Sequence, residues 1–255
     1  MSFEITPFPA ERKVVVDAGY LAARRHVFYG LVEVDVTRAR QVLQQRKAAG
    51  EDLSFTAFIV TCLARAIEEH PQVQALKDWR GRLVVFHDVD VSTLIEPAPG
   101  QVAIPHVIRD ANRKSVTEIS REIRSIQQEP ERSPQRGRLA RLAPRVPRWV
   151  RMLFYRLAML DPHRFRRLAG TITITSVGMF SQGGGWGIAF LTMHTIGLTI
   201  GGIVQKPGVF EGQIAIREYL QLTAALDHDV VDGAPAARFA KRFVELVEAG
   251  DGLEA

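Results

Sequence analysis

A chain of 255 residues, 46% hydrophobic and 24% charged, is long enough to bury a substantial core and has the balance of an ordinary globular protein. Its single cysteine, Cys62, excludes an internal disulfide and favours a reducing, cytoplasmic setting. The net charge of +5 is local: residues 131 to 169 carry eleven arginines against Glu131 and Asp161, which leaves the rest of the chain at −4 and argues against nucleic-acid binding by the fold as a whole.

Residues 1 to 26 have no clear period. They contain a Val14-Val15-Val16 run and a basic cluster, Arg24-Arg25-His26, but no basic start followed by an apolar stretch of the kind that leads a secreted chain. From Phe28 the residues alternate, Gly30, Val32 and Val34 against Tyr29, Leu31, Glu33 and Asp35, which predicts a strand. Thr37 is then placed to cap a helix running to about Ala49, with Gly50 as its stop. Ser54 is placed to cap a second helix, whose stripe is Phe55, Phe58, Ile59, Cys62, Leu63, Ala66 and Ile67, ended by Pro71. Cys62 on that stripe reads as a packing residue. Short strands are expected at 83 to 86, 89 to 95 and 102 to 108, and Pro105 marks the last as an edge or a bend. Ser115 and Glu118 form a capping box ahead of a helix that buries Val116, Ile119, Ile123 and Ile126. Strands and helices in this mixed order predict an α/β sandwich.

Residues 130 to 169 begin polar and proline-punctuated. A helix is then expected from Pro147 to Asp161-Pro162, with Trp149, Val150, Met152, Leu153, Leu157 and Leu160 on one apolar face and Arg148, Arg151 and Arg156 at its borders. Packing on its own domain or on a neighbouring subunit, with solvated arginines, is one expectation. Contact of residues 147 to 161 with an anionic membrane or an acidic carrier protein is the other. Thr171, Thr173 and Thr175 alternate with Ile172, Ile174 and Ser176 as in a strand. The run Gly183-Gly184-Gly185-Trp186-Gly187 lacks the context of a nucleotide-binding loop and reads as a flexible turn. Strands at 188 to 191, 195 to 204 and 213 to 226 lead to His228.

His228 stands where an apolar strand pattern gives way to an amphipathic helix pattern, with Asp232 four residues on and Gly233 after it. A histidine fixed at both ends in this way suits a general base. The phrase D-H-D-V-V-D-G-A-P-A-A-R-F resembles the histidine motif of the catalytic domain of dihydrolipoamide acyltransferases from 2-oxo acid dehydrogenase complexes. Chloramphenicol acetyltransferases share a related motif, typically with a second histidine where this chain has Asp227. The likeness extends to Y-G-L-V-E-V-D-V-T, L-S-F-T-A-F-I-V, V-A-I-P-H-V-I-R-D-A-N-R-K-S-V-T-E-I-S-R-E-I and T-I-T-I-T-S-V-G-M-F, in the family's order.

That resemblance implies a two-layer α/β sandwich with a mixed β-sheet, chloramphenicol-acetyltransferase-like, forming a single catalytic domain over 1–255 with an arginine-rich insertion at about 130–169. It implies acyl transfer between coenzyme A and a thiol such as dihydrolipoamide, with His228 as general base and Thr175, or next to it Ser176, donating to the oxyanion. No metal is called for. Asp232 is expected either to orient the imidazole or to hold the loop by pairing with Arg24 or Arg25, and Gly233 to permit a tight turn. Asp229 stands where the family commonly has arginine; a negative charge there is expected to raise the histidine pKa and disfavour an anionic substrate. The family's lipoyl and peripheral-subunit-binding domains have no counterpart in the sequence, so the acyl group is expected to arrive on a lipoyl-bearing or other carrier protein. A homotrimer with each site between two subunits is implied, with larger cages beyond it. A non-catalytic scaffold and an O-acyltransferase for a small hydroxylated molecule are the alternatives.

Overall fold

Alternation in β1 (Val27–Asp35) sends Phe28, Val32 and Val34 to one side of a sheet and Tyr29, Leu31, Glu33 and Asp35 to the other. The same division holds across the sheet in the computed structural model, which describes residues 2–10, 12–96, 103–137, 142–177, 184–191 and 193–253. Six strands lie in the order β1, β8 (Gln213–Asp227), β7 (Ile196–Phe210), β6 (Ile172–Ser176), β4 (Val91–Ile95) and β5 (Ile104–Ile108). The β4–β6 and β6–β7 pairs are parallel and the others antiparallel, so the sheet is mixed. Pro105 lies on the edge strand β5, where its missing N–H costs no ladder bond. A separate two-stranded ribbon pairs β2 (Leu76–Lys77) with β3 (Leu83–Val84), shorter than the expected strand at 83 to 86.

Four helices cover one face of the sheet: α2 (Thr37–Ala48), α3 (Phe55–Glu69), α4 (Val116–Gln128) and α7 (Gly233–Ala249). Helix α3 is buried nearly all round because it touches both α4 and α7, and its Ser54 hydroxyl accepts from the Ala57 N–H as the sequence predicts. Each large side chain it removes from water, Phe58, Ile59, Leu63 and Ile67 among them, contributes about 1.5–3 kcal/mol. Cys62 belongs to this core, and burial pushes its thiol well above the ordinary range. The Ser115–Glu118 capping box opens α4.

Several local readings change. Thr37 is the first residue of α2 rather than its cap: the Asp35 carboxylate accepts from the Thr37 N–H at 2.9 Å and hydroxyl at 2.6 Å. Helix α1 (Arg12–Ala22) was invisible to periodicity because it buries only Asp17, Leu21 and Ala22 and leaves Val15, Val16 and Tyr20 exposed. Residues 188 to 191 form no strand.

The helix expected after Pro147 is α5 (Arg148–Leu160), but its inward side is not the apolar one. Arg151 is buried and donates to Asp17 at 2.6 Å, while Trp149, Leu153, Phe154 and Leu157 stay exposed. A buried carboxylate needs a partner, and Arg151 with Arg148 at 3.1 Å supplies it; Arg151 is therefore not solvated, whereas Arg148 and Arg156 are exposed as expected. Asp161 ends α5 and caps an unforeseen α6 (Pro162–Ala169) by accepting from the His163 and Arg164 N–H groups. Asp90, buried beneath α6, accepts from Arg109 and Arg166, each at 2.8 Å. Burial alone would raise its pKa, but these guanidinium groups and the Asp110 N–H hold it below the usual carboxylate range.

Asp17→Ala leaves Arg151 buried without its counter-charge. The expected cost is about 3 kcal/mol in chemical denaturation, with limited proteolysis cutting within 142–160 before the sheet.

Candidate active site

Strand β8 ends at Asp227, and the Asp227 carbonyl accepts from the N–H groups of Val230 and Val231 to turn the chain into α7. His228 rides on that turn. Its N–H donates to the His26 carbonyl at 2.8 Å, its ring leans on Phe28 with 5.0 Å between centroids, and its side chain is 54% exposed. The imidazole is thus oriented by backbone and packing yet open to solvent.

Asp232 is beside the ring, with Oδ1 3.7 Å from Nδ1, too long for a hydrogen bond. Its side chain is 84% exposed, and among the described residues no arginine lies within ion-pair distance of it. The expected pairing with Arg24 or Arg25 is replaced by two other contacts. Arg24 donates to the Tyr20 hydroxyl at 2.7 Å. Arg25 instead meets Asp227, the residue before the histidine, at 2.5 Å, and also donates to the carbonyls of Met193 at 2.7 Å and His194 at 3.0 Å. The reason is reach and burial: Asp227 turns into the interior on the face opposite the helices, where a carboxylate needs a cation, whereas Asp232 points to water. Gly233 has ordinary backbone, and a Cβ there would meet nothing within 4 Å, so no tight turn requires it.

Asp229 does not confront the imidazole as an unpaired charge. It pairs with His26 at 2.9 Å, which holds the Asp229 carboxyl below and the His26 imidazole above their ordinary ranges. His194, under the same loop, donates from Nε2 to the Ala169 carbonyl at 2.9 Å, and burial pushes its pKa down to about 4. It is a neutral structural group at physiological pH. His194 left no sign in the sequence, and Asp227 was marked there only as the place where chloramphenicol acetyltransferases typically have a second histidine; the signal for its pairing was an acid directly before the motif histidine, with an arginine cluster upstream.

Thr175 is at the far end of β6, on the face opposite the helices, in register with Thr199 of β7, which is in register with Thr223 of β8. Ser176 alternates onto the helix side with Ile172 and Ile174. Part of the glycine run covers this threonine row. Gly183 lies outside the described residues. A Cβ on Gly187 would meet Val177 and Thr199 at 2.5 and 2.8 Å, and one on Gly201 would meet the Gly185 carbonyl at 2.5 Å. These glycines serve close approach to the sheet, not a free turn.

Strand β6 runs antiparallel to β8, so its C-terminal end points away from His228, and Thr175 lies level with Thr223. Five residues along β8 and two strand spacings separate them, about 20 Å in all. One chain does not bring them together.

The family model for the 2-oxoacid dehydrogenases acyltransferase catalytic domain matches residues 6–134 and 158–253. The chain belongs to this family. Residues 135 to 157, most of α5 included, fall outside the match. The lipoamide acyltransferase component of the branched-chain alpha-keto acid dehydrogenase complex of Bacillus subtilis is 28% identical over 87% of this chain and 46% of its own length. The chain spans about half, or less, of the curated relatives it matches. The fold is that of dihydrolipoamide acetyltransferase from Azotobacter vinelandii, with a TM-score of 0.72 at 21% identity over 97% of this chain and 92% of that one. Chloramphenicol acetyltransferase superposes with a TM-score of 0.54 at 18% identity over 96% and 98%. The family's two-layer architecture is therefore present. Among the described residues, no helix is long and apolar enough to cross a membrane.

In an NMR titration His26 is expected to ionise above the ordinary histidine value of about 6.5, and to return to it in Asp229→Asn. The sign follows from the raised folded-state pKa: any stability the pair gives is present below the unfolded value and is lost as pH climbs through the folded one.

Proposed function

We propose that this chain transfers an acyl group between coenzyme A and a thiol acceptor such as dihydrolipoamide, at a site completed by a second copy of the chain. The observation that carries the reading is the separation, about 20 Å, of an exposed, oriented histidine from a strand-end threonine within one subunit. Such a placement is useless within a monomer and fits a site shared between neighbours, as in a trimer. The Azotobacter enzyme has been investigated for the catalytic roles of a serine, a histidine and an asparagine four residues after that histidine; His228 and Asp232 have the same spacing. A related pyruvate dehydrogenase complex has a cubic core, and assembly of trimers into a cage is part of the proposal.

The chemistry needs no covalent enzyme intermediate. The imidazole nitrogen facing away from Asp232, Nε2, takes the proton of the attacking thiol, whose ordinary pKa of about 8.5 leaves it mostly protonated at neutral pH. The sulfur forms a bond to the thioester carbonyl carbon, and the carbonyl oxygen becomes an oxyanion. The Thr175 hydroxyl of the neighbouring copy donates to that oxygen. Collapse breaks the original carbon–sulfur bond, and the departing thiolate recovers the proton from His228. Thr175 suits the oxyanion better than Ser176 because it lies on the face opposite the helices. The acyl group reaches the site on a lipoyl group or another carrier.

With acetyl-, propionyl- and longer acyl-coenzyme A as donors and dihydrolipoamide as acceptor, thiol release is expected to disappear in His228→Ala. In Thr175→Ala kcat should fall by about 10²–10³, and Thr175→Ser should restore most of it. Full activity in either alanine variant overturns the assignment of that residue.

A shared site makes a second expectation. Mixing inactive His228→Ala and Thr175→Ala proteins under subunit exchange should recover about a quarter of wild-type turnover, since random assortment pairs an intact histidine with an intact threonine in that share of interfaces. Recovery of none, with exchange verified by mass, would place both groups within one chain.

A further inference from the structure

Beside the turn that carries His228 lies a pocket of about 560 Å³, within the size range of small-molecule sites. It borders Asp227, Asp229 and Val230 but not the imidazole. Its floor is apolar: Leu21 from α1, Leu76 from β2, Met159 and Leu160 from α5, Phe165 from α6, and Met193. Its rim is cationic, with Arg24, Lys77 and Arg156 all exposed.

The pocket's three carboxylates take their closest partners elsewhere, although Asp229 also attracts Lys77 at longer range. Asp78 is bonded to Arg82, Asp227 to Arg25, and Asp229 to His26. Arg24 has only the neutral Tyr20 hydroxyl and ring, and among the described residues no carboxylate is within ion-pair distance of Lys77 or Arg156. Arg156 belongs to the stretch outside the family match.

We propose that this pocket binds an amphipathic anion, an apolar chain on the floor with a phosphate or carboxylate held by Lys77 and Arg156. Burial of the chain supplies affinity and the unpaired cations supply selection for charge. The proposal goes beyond acyl transfer and does not depend on it.

Calorimetric titration with decyl phosphate, decanoate, decanol and decyltrimethylammonium, each below its micelle threshold, tests it. Both or one of the anions should bind, decanol at least tenfold more weakly, and the cation not at all; the tighter anion identifies phosphate or carboxylate as the natural head group. The double variant Lys77→Gln/Arg156→Gln, altered only at exposed positions and checked by thermal melting, should bind the preferred anion at least tenfold more weakly. His228→Ala should bind it as the wild type does, so loss of acyl transfer and loss of this site are separate results. Binding of decanol as tightly as the anions, an unchanged Kd in the double variant, or no binding of either anion overturns the proposal.

Discussion

The ion pair between Arg25 and Asp227 is the constraint on which the site rests. Arg25 follows α1, Asp227 ends β8, and the same guanidinium also takes the carbonyls of Met193 and His194 just before β7. Three stretches distant in sequence are thereby fixed to one another at the residue preceding His228. Burial works against the Arg25 charge and lowers its pKa, while Asp227 restores part of what burial removes. An arrangement of this kind contributes little net stability as a pair, but the loss of one partner is severe because the other stays buried and uncompensated. It positions rather than strengthens. That accounts for an aspartate at 227, where chloramphenicol acetyltransferases typically have a histidine.

The parts of the fold legible in the sequence were those whose local chemistry and tertiary role agree. Ser54 and Ser115 cap the helices they were expected to cap, Pro105 falls on an edge, and the stripe of α3 is buried except for the half-buried Phe55 at its start. Illegible parts were those where burial falls on charge. The inward side of α5 is marked by Arg151 and that of α1 by Asp17; hydrophobic periodicity cannot see a face defined by an ion pair. Residues 188 to 191 have strand composition but join no ladder among the described residues, because composition alone does not supply a partner.

For the site, motif and geometry answered different questions. The motif located His228 and Asp232, and the structure places them side by side. It did not locate the partner of Arg25, because Asp227 and Asp232 are equally acidic on paper and differ only in which way the chain turns them. The glycine run shows the same division: its composition reads as freedom, while its contacts with Val177, Thr199 and Gln221 show that the missing side chains make room for the sheet. The separation of Thr175 from His228 came from strand register alone, which no local pattern carries.

The contact between Arg151 and Asp17 bears on which changes residues 135 to 157, outside the family match, can tolerate. Asp17 lies in the matched region and is only 1% exposed, and Arg148 and Arg151 cover it from the unmatched one. Removal of the whole segment would return Asp17 to water, where a carboxylate is at ease; removal of the arginines alone would leave it covered and unpaired. Asp17 and the two arginines therefore have to change together, since the loss of one side strands a charge that the rest of the contact still covers.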